Sequence, residues 1–144
     1  MPRFRNILCP VDFSPISRRA LDVAAELAAS AGGTLTLVNV WDVTMYGGLT
    51  FGTSGDVLQR MSDDANRGLA EWLAIAKAAG ATDARAVTLT GQPWDEIVKL
   101  AAAPPVADLI VIGTHGRGAI AHALLGSVAE RVVRHAGCAV LVIR

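Results

Sequence analysis

A chain of 144 residues is long enough for one hydrophobic core and too short for two comfortable domains, so residues 1–144 read as a single domain. With 52% hydrophobic and 18% charged residues it has ample apolar surface to bury, which argues against a disordered chain. Its 13 basic residues balance 13 acidic ones, so no net field draws nucleic acid or anionic lipid to the whole surface, and any recognition of an anion must be local.

The opening MPRFRNILCPVDF has no long apolar signal core, and no window approaches the roughly 18 uninterrupted apolar residues of a membrane span. The expectation is a cytoplasmic protein with no membrane and no nucleic-acid partner. FRNILCPV has the branched apolar character of a first strand. Cys9 within it, and Cys138 beside the last apolar run, are expected to be buried thiols rather than a disulfide pair or metal ligands. The first helix opens at Ser14, a good N-cap, with Pro15 at its first position. Its stripe of Leu21, Ala24, Leu27 and Ala28 runs until Gly32 and Gly33 stop it.

TLTLVNV is a second strand. The connection from Trp41 to Asp56 is longer than most loops of compact domains, and reads either as a lid or binding loop or as a connection without a role. A longer helix follows, with Leu58, Met61, Ala65, Leu69, Trp72 and Ala76 on one face at spacings of three and four, ending near Gly80. ARAVTLT is a third strand. The next helix begins near Pro93, sets Trp94, Ile97, Val98 and Ala101 on one face, and cannot pass Pro104 and Pro105. After the strand ADLIVIG, a last helix is expected from Ser127, where Ser-Val-Ala-Glu reads as a capping box closed by Glu130, with Val128, Val132 and Val133 or their neighbours buried. CAVLVIR is the final strand. Alternating strands and helices call for an α/β fold. The simplest is a doubly wound five-stranded parallel sheet in the order 3-2-1-4-5 with helices on both faces.

In such a sheet ligands bind at the carboxyl ends of the first and fourth strands, where the winding direction reverses. Two segments leave that edge, Cys9 to Ser14 and Gly113 to Gly116. Gly113, Gly116 and Gly118 permit positive φ and close backbone approach, so their loop can form an anion-binding nest, and Gly126 and Ser127 stand at a helix N-terminus. A phosphate chain is the ligand this suggests, with Arg117 adding a cation. A P-loop is absent, since the two lysines, Lys77 and Lys99, follow no glycine-rich loop. The dinucleotide-like run Gly116 to Ala121 lacks the downstream acidic residue and the second mononucleotide half. His115, His122 and His135 have no partner at a zinc-ligand spacing, so no metal site is expected. No catalytic residue set is evident either.

The spacing Gly113-x-x-Gly116, nine residues, Gly126-Ser127, together with CPVDFSP near the N-terminus, resembles the ATP-binding branch of the universal stress protein family over essentially the whole chain. The resemblance implies that Pro10, Val11, Asp12 and Val40 hold the adenosine and that Ile112 lines the pocket. It assigns the phosphates to Gly113, Gly116, Gly126, Ser127 and Val128, with Arg117 in the loop between. Asp12 would accept from a base amino group or a ribose hydroxyl, or cap the first helix, and the two roles are compatible. The implied ligand is ATP, with or without Mg2+, in a stress-response regulator with little or no turnover and an unidentified protein partner. The alternatives are a slow nucleotide-hydrolysing or phosphotransfer enzyme on the same fold, and a dimeric interaction module without nucleotide. The apolar run Ala139 to Ile143 at one edge of the sheet implies a homodimer through the last strand, since a bare edge of that kind would aggregate.

Overall fold

The structure, a computed structural model, describes residues 4–42, 55–115 and 125–144. Five parallel strands, β1 (Asn6–Pro10), β2 (Thr34–Asp42), β3 (Ala84–Gly91), β4 (Leu109–Gly113) and β5 (Ala139–Ile143), form one sheet in the order β3-β2-β1-β4-β5. The four helices of the described residues are α1 (Pro15–Ala31), α2 (Gly55–Ala78), α3 (Pro93–Ala102) and α4 (Ser127–His135). Alternation along the central strands sorts side chains to two cores. Ile7, Cys9, Leu35, Leu37, Leu109 and Val111 meet α1 and α2 on one face, through residues such as Leu21, Ala24 and Leu69. Leu8, Val38, Ile110 and Ile112 meet α3 and α4 on the other, through Ile97, Ala101, Ala129 and Val132. Strands buried on both faces must be apolar throughout, and each fully buried Leu, Ile or Val contributes about 1.5–3 kcal/mol. The doubly wound expectation holds, with its strand order.

Local signals set most helix ends. Ser14 is the N-cap of α1, its hydroxyl accepting from Ser17 N at 3.2 Å, and Gly32 closes the helix in the left-handed region at φ 61°. The α2 stripe is as the spacing predicts, with Leu69 and Ala76 buried and Leu58, Met61, Ala65 and Trp72 half-buried. α3 ends at Ala102, before the two prolines. α4 departs from expectation. Its cap is Gly126, extended at φ −67° and ψ 161°, so Ser127 is the first helical residue and the capping box does not form. Glu130 pairs instead with Arg134. The buried face of α4 is Ala129 and Val132, three residues apart, and Val133 is 47% exposed. Among the described residues, no helix is long and apolar enough to cross a membrane.

Candidate functional site

β1 pairs with β2 on one side and with β4 on the other. The chain leaves β1 for α1 on one face and reaches α4 on the opposite face after β4, which opens a crevice at the carboxyl edge of these two strands. The first wall of the crevice is the turn from Val11 to Ser14. Val11 is buried, and its N–H donates to Val38 O at 2.8 Å, while Asn39 Nδ2 of β2 donates to Val11 O at 2.8 Å. Asp12 N donates to Ser17 Oγ at 3.3 Å, and Ser14 N donates to Asp12 Oδ1 at 3.0 Å. One oxygen of the Asp12 carboxylate therefore shapes the start of α1 while the group remains half-buried at the edge. Its role as a local cap is real, as a partner of Ser14 N–H beside the Ser14 cap itself.

The second wall is the end of β4. Ile112 is buried and Thr114 is buried behind it, with Thr114 N donating to Ile143 O at 2.7 Å and Thr114 O accepting from Gly126 N at 2.6 Å. Two glycines mark this junction. A Cβ on Gly113 would lie 2.6 Å from Ile16 Cγ2 of α1, and a Cβ on Gly126 would lie 2.8 Å from Thr114 O. Gly113 is not among the positive-φ glycines of the described residues, which are Gly32, Gly80 and Gly91. Its missing side chain makes room for α1 and supplies no left-handed residue to a nest. Gly126 does allow close backbone approach, but the backbone that approaches is that of Thr114, and the Gly126 N–H is already engaged there.

The anion-attracting pole consequently begins one residue later. The N–H groups of the first turn of α4, starting at Ser127 and Val128, have no partner within the helix, and the helix end carries about half a positive charge. Ser127 is exposed, and Val128 is half-buried against the core. Of the other sequence-derived candidates, Pro10 ends β1 in the core and Val40 lies half-buried near the end of β2. Pro10, Val11, Asp12, Ile112, Gly113, Gly126, Ser127 and Val128 thus collect around one edge, with Val40 on the neighbouring strand. Gly116, Arg117, Gly118 and His122 lie outside the described residues, as does the 43–54 part of the long connection.

Several residues that shape the site were not singled out by sequence. Ser17 and Asn39 hold the β1 turn, Thr114 joins β4 to α4, and Ile16 dictates Gly113. Two of these carry a signal: Asn39 is a polar residue in an apolar strand, and Ser17 stands three residues after the cap. Burial pushes the Cys9 thiol far up, with Asp22 adding to it, and burial pushes Cys138 up, with Asp108 adding to it. Both are free cysteines. His115 Nδ1 lies 3.1 Å from Thr114 Oγ1, and His135 stacks on Trp94 at 4.8 Å between ring centroids. Among the described residues, no group of three or more His, Cys, Asp or Glu side chains could hold a metal ion.

A five-stranded parallel sheet with a helix N-terminus at its switch point defines an α/β protein of mononucleotide-fold architecture. The universal stress protein family model matches residues 3–144, and the chain belongs to that family. A Staphylococcus haemolyticus relative, a universal stress protein by name, is 34% identical over 149 aligned positions spanning 100% of this chain and 87% of its own. The solved structure of universal stress protein UspA from Lactobacillus plantarum superposes with a TM-score of 0.87 at 27% identity, over 100% of both chains. A universal stress protein in complex with cAMP gives a TM-score of 0.76 at 30% identity, over 99% of this chain and 98% of its own. The universal stress protein from Archaeoglobus fulgidus in complex with dAMP gives 0.72 at 27% identity, over 99% of this chain and 100% of its own.

Proposed function

We propose that this chain binds an adenine nucleotide, ATP with or without Mg2+, in the crevice between β1 and β4, and acts as a cytoplasmic regulator that binds rather than turns over its ligand. One observation carries the reading: the turn that bears Asp12 and the first turn of α4, whose Gly126 N–H is tied to Thr114 O at the end of β4, stand together at the carboxyl edge of β1 and β4. That arrangement sets an acceptor, Asp12, and an anion pole, the first turn of α4, at one edge of the sheet. The complexes of related proteins with cAMP and dAMP support an adenine ligand. Val11, Val40 and Ile112 supply an apolar wall suited to a base, and Pro10 fixes the strand end that precedes Asp12. Ser127 and Val128 would hold phosphate oxygens through their N–H groups and the Ser127 hydroxyl, with Gly116 and Arg117 completing the phosphate side. On this reading the site positions its ligand and turnover is slow or absent.

A homodimer through β5 belongs to the same reading. β5 is an edge strand whose side chains are all at least partly exposed, with Leu141 38% exposed. A second copy related by a two-fold axis would pair with it antiparallel. Native mass spectrometry of the purified protein would show a carried nucleotide and the oligomeric state together. Calorimetry of stripped protein with AMP, ADP and ATP should give saturable binding, and absence of binding at about 1 mM of each would refute the reading.

A further inference from the structure

Phe13 is the only residue other than glycine with positive φ among those described, at 65°. A left-handed backbone is uncommon for a bulky side chain and persists only where the surroundings over-determine it. The turn's own hydrogen bonds, from Asp12 N to Ser17 Oγ and from Ser14 N to Asp12 Oδ1, would be served as well by a glycine. What calls for phenylalanine lies on α2. The Phe13 ring meets Trp72 edge-on, with centroids 5.2 Å apart and planes at 81°. It also fills the notch left by Gly68, where an added Cβ would lie 3.3 Å from Cε1 and 3.4 Å from Cζ. Gly68 and Trp72 stand four residues apart and share a face of α2. A strained phenylalanine, a glycine in the interior of a helix that would favour alanine, and a half-buried tryptophan are thus explained by a single contact.

We propose that Phe13 is a positioning residue for the nucleotide site: seated between Trp72 and Gly68, its ring fixes the left-handed turn that aims the Asp12 carboxylate. The inference rests on the nucleotide reading above and names a part of the site that lies one helix behind it.

The test uses the full chain and two variants. Gly68→Ala favours helix α2 but crowds the ring, and Phe13→Gly relaxes the backbone but removes the ring. Melting temperature, calorimetric affinity for AMP and ATP, and hydrogen exchange of the Ser14 amide, which reports the bond to Asp12, are measured for each. Gly68→Ala is expected to melt within a few degrees of wild type yet bind about 5-fold more weakly. Phe13→Gly is expected to lose about 10-fold in both Ser14 protection and affinity. Variants that bind as wild type does would overturn the role of Phe13 alone, as would lost affinity with unchanged Ser14 protection. Wild type that binds neither nucleotide would overturn the reading of the site and this role with it.

Discussion

Gly126→Ala separates what the fold needs from what the ligand needs. The new methyl would stand 2.8 Å from Thr114 O, a backbone atom that also accepts from Gly126 N at 2.6 Å and so cannot move away without losing that bond. Overpacking of this kind costs about 1–3 kcal/mol. At about 4 °C per kcal/mol for a chain of this length, the melting temperature should fall by about 4–12 °C. Because Thr114 and the head of α4 shift apart, nucleotide affinity should fall with it. Two further glycines calibrate the result. Gly80→Ala forces alanine to φ 108° with its Cβ 3.0 Å from Ala29 Cβ, away from the crevice, so it should cost about 1–3 kcal/mol of stability and leave affinity unchanged. Gly137 has nothing within 4 Å of an added Cβ, and Gly137→Ala should change neither. Scanning calorimetry and titration calorimetry on the same samples give both quantities. If Gly126→Ala melts and binds as wild type does, the junction at Thr114 is not the constraint inferred here.

Ser127→Ala should leave the melting temperature unchanged, since Ser127 is exposed and makes no cap bond, but should weaken ATP binding roughly 10-fold through loss of one charge-assisted donor worth about 1.5 kcal/mol; equal affinity by calorimetry would remove Ser127 from the site. A thiol reagent should label half-buried Cys138 before buried Cys9, which should react only on unfolding. The raised thiols also set a sign: native Cys9 keeps its proton while the unfolded chain releases it above the ordinary value of 9.0, so stability should fall as pH rises past 9.0 by up to about 1.4 kcal/mol per pH unit. Cys138 adds in the same direction, and denaturant midpoints that fall as steeply in Cys9→Ala would refute the assignment to Cys9. Phosphate release should stay well below about 1 per second, and sustained release above that rate from rigorously purified protein would establish an enzyme. Wild type should scatter light as a dimer and Leu141→Pro, which removes a backbone donor from β5, should shift it toward monomer or insolubility; a monomeric wild type would sink the β5 pairing.

How much was legible depended on whether the cause was local. The order β3-β2-β1-β4-β5 follows from alternation and handedness, and the ends of α1 follow from Ser14, Pro15 and Gly32, each of which acts on its own backbone. The start of α4 was harder because Gly126 and Ser127 are both acceptable caps, and the hydrogen bond from Gly126 N to Thr114 O decides between them from twelve residues away. Gly113 was read for backbone freedom, whereas the structure uses it for space beneath Ile16. No sequence pattern distinguishes those uses, because the neighbour that demands the space lies on another element. The seat of Phe13 on α2 was illegible for the same reason.

That distinction bears on what the glycine signature means. In this chain Gly113 makes room for the Ile16 side chain and Gly126 for the Thr114 backbone, so packing alone accounts for both. Their presence argues for the architecture and says little against an interaction module that has given up its ligand. The residues that discriminate are those the fold does not require. Ser127 is exposed and is the first residue of α4, with Gly126 as the cap, so its hydroxyl is open to a ligand at the first turn. Asp12 Oδ1 accepts from Ser14 N–H, a task that the side-chain oxygen of asparagine would perform with the same geometry. Asp12→Asn should therefore keep the bond to Ser14 N–H while removing the charge that makes the carboxylate a strong acceptor for a ribose hydroxyl or a base amino group. A nucleotide-binding protein should lose affinity roughly 10-fold in that variant, and a ligand-free module should not register the change at all.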